Sequence, residues 1–154
     1  MINIAIVEDE KSYRDLLESY LNQYAKEHFL EIHTVFFEDG DEIIESYKCE
    51  YDIILMDIMM QFMDGMTAAE TIRKQDEEVI IIFITNMINY AIKGYKVAAF
   101  DYILKPITYY ALEKSLDRAL VKVTDRETRK YININVQGGI QKLALTEICY
   151  IESQ

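Results

Sequence analysis

Short apolar runs alternate with amphipathic stretches along most of the chain. Ile2–Val7, Ile32–Phe37, Tyr51–Met56, Val79–Ile84 and Phe100–Leu104 read as strands. Two of them, Ile53–Met56 and Val79–Ile84, are continuously apolar, the pattern of central parallel strands covered on both faces. Between the runs, Tyr13, Leu16, Leu17, Tyr20, Leu21 and Tyr24 recur at the spacing of one helix face, with charges opposite. Leu112, Leu116, Ala119, Leu120 and Val123 repeat that spacing, and Thr108 is placed to cap their helix. Further helices are expected near Asp41–Tyr47, Gly65–Gln75 and Ile88–Lys93. Strict alternation of strand and helix predicts an α/β domain: a parallel sheet with right-handed crossovers and helices on both faces.

Beyond Val123 the pattern changes. Asp125–Lys130 is polar and reads as a linker or a frayed helix end. Tyr131–Val136 alternates at period two, Gly138-Gly139 signals a hairpin turn, and β character resumes over Ile140–Ile151. So short a β segment makes no core alone. The expected organisation is one domain over residues 1–124, a linker over 125–130, and the opening fragment of a second domain over 131–154.

Composition narrows the function. Of 154 residues, 51% are hydrophobic, enough for a sizeable core. The longest apolar run is far shorter than the roughly 20 residues a membrane helix needs. The N-terminal segment has no basic region before its apolar run, so it does not read as a signal peptide. Cys49 and Cys149 form no CxxC pair and are expected to be inert packing residues of a cytoplasmic protein. Residues 1–125 hold 12 Lys+Arg against 24 Asp+Glu, a balance that repels nucleic-acid phosphates.

The candidate chemistry lies at predicted strand ends. Glu8 and Asp9 follow the first strand, and Asp57 follows the third. In an open parallel α/β sheet, strand ends converge on a crevice at the carboxyl edge, where ligands bind. Neighbouring carboxylates repel unless a cation neutralises them, and an all-oxygen cluster open to water suits Mg²⁺. Thr85 ends the fourth strand and Lys105 ends the fifth, followed by Pro106. A hydroxyl and an ammonium at that edge suit the oxygens of a transferred phosphoryl group.

With those positions in view, the chain resembles a response-regulator receiver domain (CheY-like). The matching stretches are Val7–Glu10, Asp57–Gly65, Phe83–Asn86 and Phe100–Pro106, and the likeness covers residues 1 to about 124. The resemblance implies a doubly wound five-stranded parallel sheet of order 2-1-3-4-5. It implies Asp57 as phosphoacceptor, Asp9 and Asp57 as direct Mg²⁺ ligands, Glu8 acting nearby, and the Met59 backbone carbonyl completing the ligands. Thr85 and Lys105 would bind the phosphoryl group, and Tyr102 would follow Thr85 in a switch of the face made by helix 4, strand 5 and helix 5. The resemblance also raises the expectation of a cis Lys105–Pro106 bond. Two positions depart from the family pattern: Gln61 stands where many receivers have proline, and Asn86 where Ala or Gly is usual. Asn89–Tyr102 is similar to receivers that carry a LytTR-type DNA-binding domain, and Leu145–Glu152 resembles the first strands of that domain.

The expected function is therefore a two-component switch, phosphorylated on Asp57 by a sensor histidine kinase and acting on a transcriptional output domain. It catalyses only its own phosphorylation and dephosphorylation. Tyr90, Tyr95 and Tyr102 suggest a homodimer on the same face, while DNA would be met only through the remainder of the output domain. The alternative is a pseudo-receiver that works unphosphorylated, yet no acid, hydroxyl or lysine of the set is missing. An aspartyl-nucleophile phosphatase would want an acid two residues after Asp57, where Met59 stands. A nucleotide-binding module would want a glycine-rich phosphate loop, and none occurs.

Overall fold

The computed structural model describes residues 1–129 and 131–144. The chain divides into two compact units, Met1–Leu116 and Asp117–Gln154. In the first, strands β1 (Ile2–Val7), β2 (Ile32–Phe37), β3 (Ile53–Met56), β4 (Ile80–Thr85) and β5 (Asp101–Leu104) make one parallel sheet in the order β2-β1-β3-β4-β5. Every expected strand is present, with ends displaced by at most two residues. The two continuously apolar runs are the central β3 and β4, and every residue in them is buried.

The helices between them are α1 (Lys11–Glu27), α2 (Gly40–Ser46), α3 (Gly65–Arg73) and α4 (Ala91–Gly94), and α5 (Tyr109–Arg129) follows β5. Alternation along the strands sends Ala5, Val7, Ile54, Met56, Ile81 and Phe83 into one core with Ile43 of α2 and Met66, Ala69 and Ile72 of α3. Ile4, Ile6, Ile53, Leu55 and Ile82, one step out of phase, are equally buried towards the other face. Leu17, Leu21 and Tyr24 form the buried stripe of α1. Thr108 caps α5 as expected, its hydroxyl accepting the Ala111 N–H at 3.2 Å.

Two local expectations are corrected, and a third is decided between its alternatives. The helix expected over Ile88–Lys93 is a single α turn, Ala91–Gly94, between 3-10 turns at Ile88–Tyr90 and Tyr95–Val97. Ile88 and Ile92 are exposed, so no buried stripe supports a longer helix, and Ala98 ends the segment at a left-handed φ of 49°. Of the two readings of the polar stretch, linker or frayed helix end, the helix end agrees with the structure: α5 runs through Arg129, as the lack of Gly or Pro allows. Cys49 is exposed rather than packed, in a left-handed turn after α2, where its thiol donates to the Gln75 carbonyl at 3.6 Å.

The second unit holds an antiparallel hairpin of β6 (Tyr131–Val136) and β7 (Gly139–Ala144). Its two-residue turn is Gln137-Gly138, one position earlier than the expected Gly138-Gly139, and Gly138 there takes a φ of 107°. Cys149 and the expected β character beyond Ala144 lie outside the described residues. Among the described residues, no helix is long and apolar enough to cross a membrane.

Candidate functional site

Strand register decides which side chains meet at the carboxyl edge. The Asp57 N–H donates to the Val7 carbonyl and the Glu8 N–H to the Phe37 carbonyl, each at 3.0 Å. The main chain just beyond β3 is thereby bonded to the end of β1, and that beyond β1 to the end of β2. The Lys105 N–H donates to the Thr85 carbonyl at 2.9 Å, joining the ends of β4 and β5 in the same way. The Lys105–Pro106 bond is cis.

The result is a compact charged cluster. One carboxylate oxygen each of Glu8, Asp9 and Asp57 lies within 4.8 Å of the others. The Lys105 Nζ donates to Glu8 Oε2 at 2.8 Å and to Asp57 Oδ2 at 3.0 Å, with its side chain 1% exposed. Burial pushes the Glu8 carboxyl up to about 7, against the hydrogen bonds from Lys105 and the Glu10 N–H. Burial disfavours the Lys105 charge as well, but its bonds to Glu8 and Asp57 outweigh that and hold its pKa above the ordinary value.

Three carboxyl groups face one ammonium, so the cluster is short of positive charge. Asp9 is the exposed member and opens towards a cleft whose walls include Glu38, Asp39 and Gln61. This donor set offers only oxygen and is open to water on one side. It fits a hard divalent cation that keeps part of its hydration, as Mg²⁺ does. The Met59 N–H donates to Asp57 Oδ1 at 3.3 Å, while its side chain points outward.

Thr85 and Tyr102 meet through a third residue. Thr85 is fully buried, and its Oγ1 accepts the Met87 N–H at 3.3 Å. The Tyr102 hydroxyl donates to the carbonyl of that same Met87. Tyr102 is half-buried against Phe83, so its hydroxyl is tied to main chain rather than left to water. Of the three tyrosines expected on this face, only Tyr95 presents its whole ring to the outside.

Two supporting residues carry no sequence signal of their own. Arg14 Nη1 donates to the carbonyls of Glu8 (2.7 Å) and Asp9 (2.9 Å), holding the turn that presents both acids. Its Nη2 reaches Glu38 at 3.3 Å. Asp39 is buried and caps α2 through the Gly40 N–H at 2.7 Å. The same carboxylate accepts from the N–H groups of Phe62 (2.9 Å) and Met63 (2.8 Å), pinning the loop after Asp57. Burial works against the Asp39 charge, yet these backbone donors prevail and hold its carboxyl below the ordinary range.

Residues 4–117 match the response regulator receiver domain family. The chain belongs to it. Among its relatives, the sensory transduction protein LytT of Oceanobacillus iheyensis is 32% identical over 133 residues. That match covers 84% of this chain and 52% of LytT, so the chain spans about half the length of such a relative. The response regulatory domain of MrkE from Klebsiella pneumoniae superposes with a TM-score of 0.72 at 26% identity, over 80% of this chain and 99% of that one. The receiver domain of the sensor histidine kinase PA1611 from Pseudomonas aeruginosa holds a magnesium ion in its active-site cleft. It superposes with a TM-score of 0.65 at 26% identity, over 78% of this receiver and 98% of that domain. Receivers of this family are switch domains of two-component systems that bind Mg²⁺ at an acidic pocket and interact with sensor histidine kinases.

Proposed function

We propose that this receiver takes a phosphoryl group onto Asp57 from a phosphohistidine of a sensor histidine kinase, and that the event switches a transcriptional output domain. The observation that carries the reading is the Lys105 ammonium bridging Glu8 and Asp57 beside the exposed Asp9. An Asp57 oxygen forms the new bond to phosphorus while the donor's bond to phosphorus breaks, and its electron pair leaves with the donor. As a carboxylate, Asp57 needs no general base. Glu8, Asp9 and Asp57, with the Met59 carbonyl, would hold Mg²⁺, which supplies positive charge against the phosphoryl oxygens. Lys105 stays beside Asp57 and takes up a phosphoryl oxygen.

The product replaces a carboxylate with a group of about −1.5 to −2 charges, taking the value for other phosphorylated side chains. Thr85 turns its hydroxyl from the Met87 N–H to that group. Met87 is then released on one side, and Tyr102, bonded to its carbonyl, follows. The charge event thus reaches the face of α4, β5 and α5 through one peptide unit on each side of Met87.

Intact-mass measurement after treatment with acetyl phosphate and Mg²⁺ tests this. The wild-type chain is expected to gain one phosphoryl group and Asp57→Asn none. Beryllofluoride with Mg²⁺ should raise the melting temperature of the wild type by ligand linkage and leave Asp57→Asn unmoved. Labelling of the Asp57→Asn chain to the same extent would defeat the assignment.

The same reading extends to partners and domains. Residues 1–124 form the receiver, and the hairpin over 131–144 opens a LytTR-type output domain through which DNA would be bound. A homodimer is expected on the face of α4, β5 and α5, where Ile88, Ile92 and Tyr95 are exposed. Sedimentation of chains with and without residues 131–154 separates this from edge pairing by the hairpin strands. Loss of the dimer on trimming counts against the receiver face.

A further inference from the structure

Tyr13 belongs by periodicity to the apolar face of α1, yet its ring does more than fill space. The Lys105 Nζ lies 4.0 Å from the centroid of the Tyr13 ring. The same nitrogen holds Glu8 at 2.8 Å and Asp57 at 3.0 Å. Tyr13 sits in the first turn of α1, directly after the turn that carries Glu8 and Asp9, and its N–H donates to the Glu10 carbonyl at 3.1 Å. The segment that presents the acids therefore also presents the ring. Lys105 is nearly sealed from water, and among the described residues its ammonium meets two carboxylates and one aromatic face.

The three contacts differ in kind. Each carboxylate occupies an N–H donor and competes for the ammonium with any incoming oxygen. The ring face attracts the whole cation through its quadrupole and engages no lone pair. When a phosphoryl group arrives at Asp57, Lys105 must exchange a carboxylate for a phosphoryl oxygen while staying in place. Of these three partners, the ring is the one that can hold it through that exchange without opposing it.

We propose that Tyr13 is a positioning residue for phosphoryl transfer, holding the Lys105 ammonium over Asp57 by a cation–π contact. The inference rests on the assignment of Asp57 as phosphoacceptor. A ring without the hydroxyl should serve equally, whereas an aliphatic side chain of similar bulk should not.

The test follows the rate of acetyl phosphate labelling by intact mass at saturating Mg²⁺, in wild type, Tyr13→Phe and Tyr13→Leu. Tyr13→Phe is expected to label within about twofold of wild type. Tyr13→Leu is expected to label roughly five- to tenfold more slowly, the range one such contact supports. Its Mg²⁺ affinity, followed by thermal shift, should stay near the wild-type value, because Glu8, Asp9 and Asp57 are untouched. Tyr13→Met repeats the aliphatic arm should the leucine chain fail to fold. Wild-type labelling rates in the aliphatic variants would overturn the proposal. So would a Tyr13→Phe chain as slow as Tyr13→Leu, since the contribution would then belong to the hydroxyl. A wild-type chain that takes no phosphoryl group at all would instead overturn the assignment of Asp57.

Discussion

Lys105→Met is expected to destabilise the metal-free receiver by about 3 kcal/mol at pH 8, because removing one partner leaves buried carboxylates uncompensated. The loss should shrink at pH 6. Even with the lysine present, the Glu8 carboxyl is pushed up from 4.5 to about 7 by burial. Without the lysine it lies higher still. A carboxyl whose folded value is raised binds protons more tightly in the folded state than in the unfolded chain. Stability is therefore fully present below the unfolded value near 4.5 and is lost as pH rises through the folded one. Saturating Mg²⁺ should recover much of the deficit at pH 8 by supplying the missing positive charge. Urea melts at pH 6 and 8, with and without Mg²⁺, give the four numbers. A deficit indifferent to both pH and Mg²⁺ would mean that the lysine contributes packing alone.

Gly65→Ala is expected to be as severe for a different reason. A Cβ at Gly65 would stand 2.0 Å from the Asp57 carbonyl oxygen and 2.9 Å from its carbonyl carbon. The obstacle is main chain, and it belongs to the residue proposed to carry the phosphoryl group. Neither side can yield easily, since the Gly65 N–H is bonded to the Ile58 carbonyl at 2.8 Å. Overpacking of this kind should cost about 3 kcal/mol or more, a fall of roughly 6–12 °C in melting temperature. Labelling of Asp57 should fall with it. Gly94→Ala is the comparison, because its nearest neighbour would be the Ala99 Cβ at 3.5 Å, an ordinary contact. Equal melting temperatures for the two alanine variants would contradict the packing described.

The sheet was legible because its central strands are buried on both faces, and nothing polar interrupts Ile53–Met56 or Val79–Ile84. The edge strand β2 was equally legible despite His33 and Thr34, because its apolar run is bounded on both sides by acids. Glu8, Asp9, Asp57 and Lys105 could be named in advance because each follows a strand at the carboxyl edge of the sheet, a position the strand pattern reveals. Arg14 and Asp39 could not, because what ties them to the site is carbonyls and N–H groups, which nearly every residue carries and no composition reveals. Tyr13 was hidden differently: helix periodicity had already accounted for it as an apolar-face residue. The shortness of α4 was missed because an apolar spacing at Ile88 and Ile92 does not show whether anything packs against it.

Arg73, at the end of α3, donates to the carbonyls of Val97 at 2.6 Å and Ala98 at 3.1 Å. Main-chain oxygens stay put whatever side chains stand at those positions, so this anchor survives drift in the local sequence. The segment leading from Met87 is thus moored at its far end just before β5 begins. If Met87 is released as proposed, the slack would be taken up within the intervening turns, like a rope paid out between two bollards, and the sheet behind them would keep its alignment.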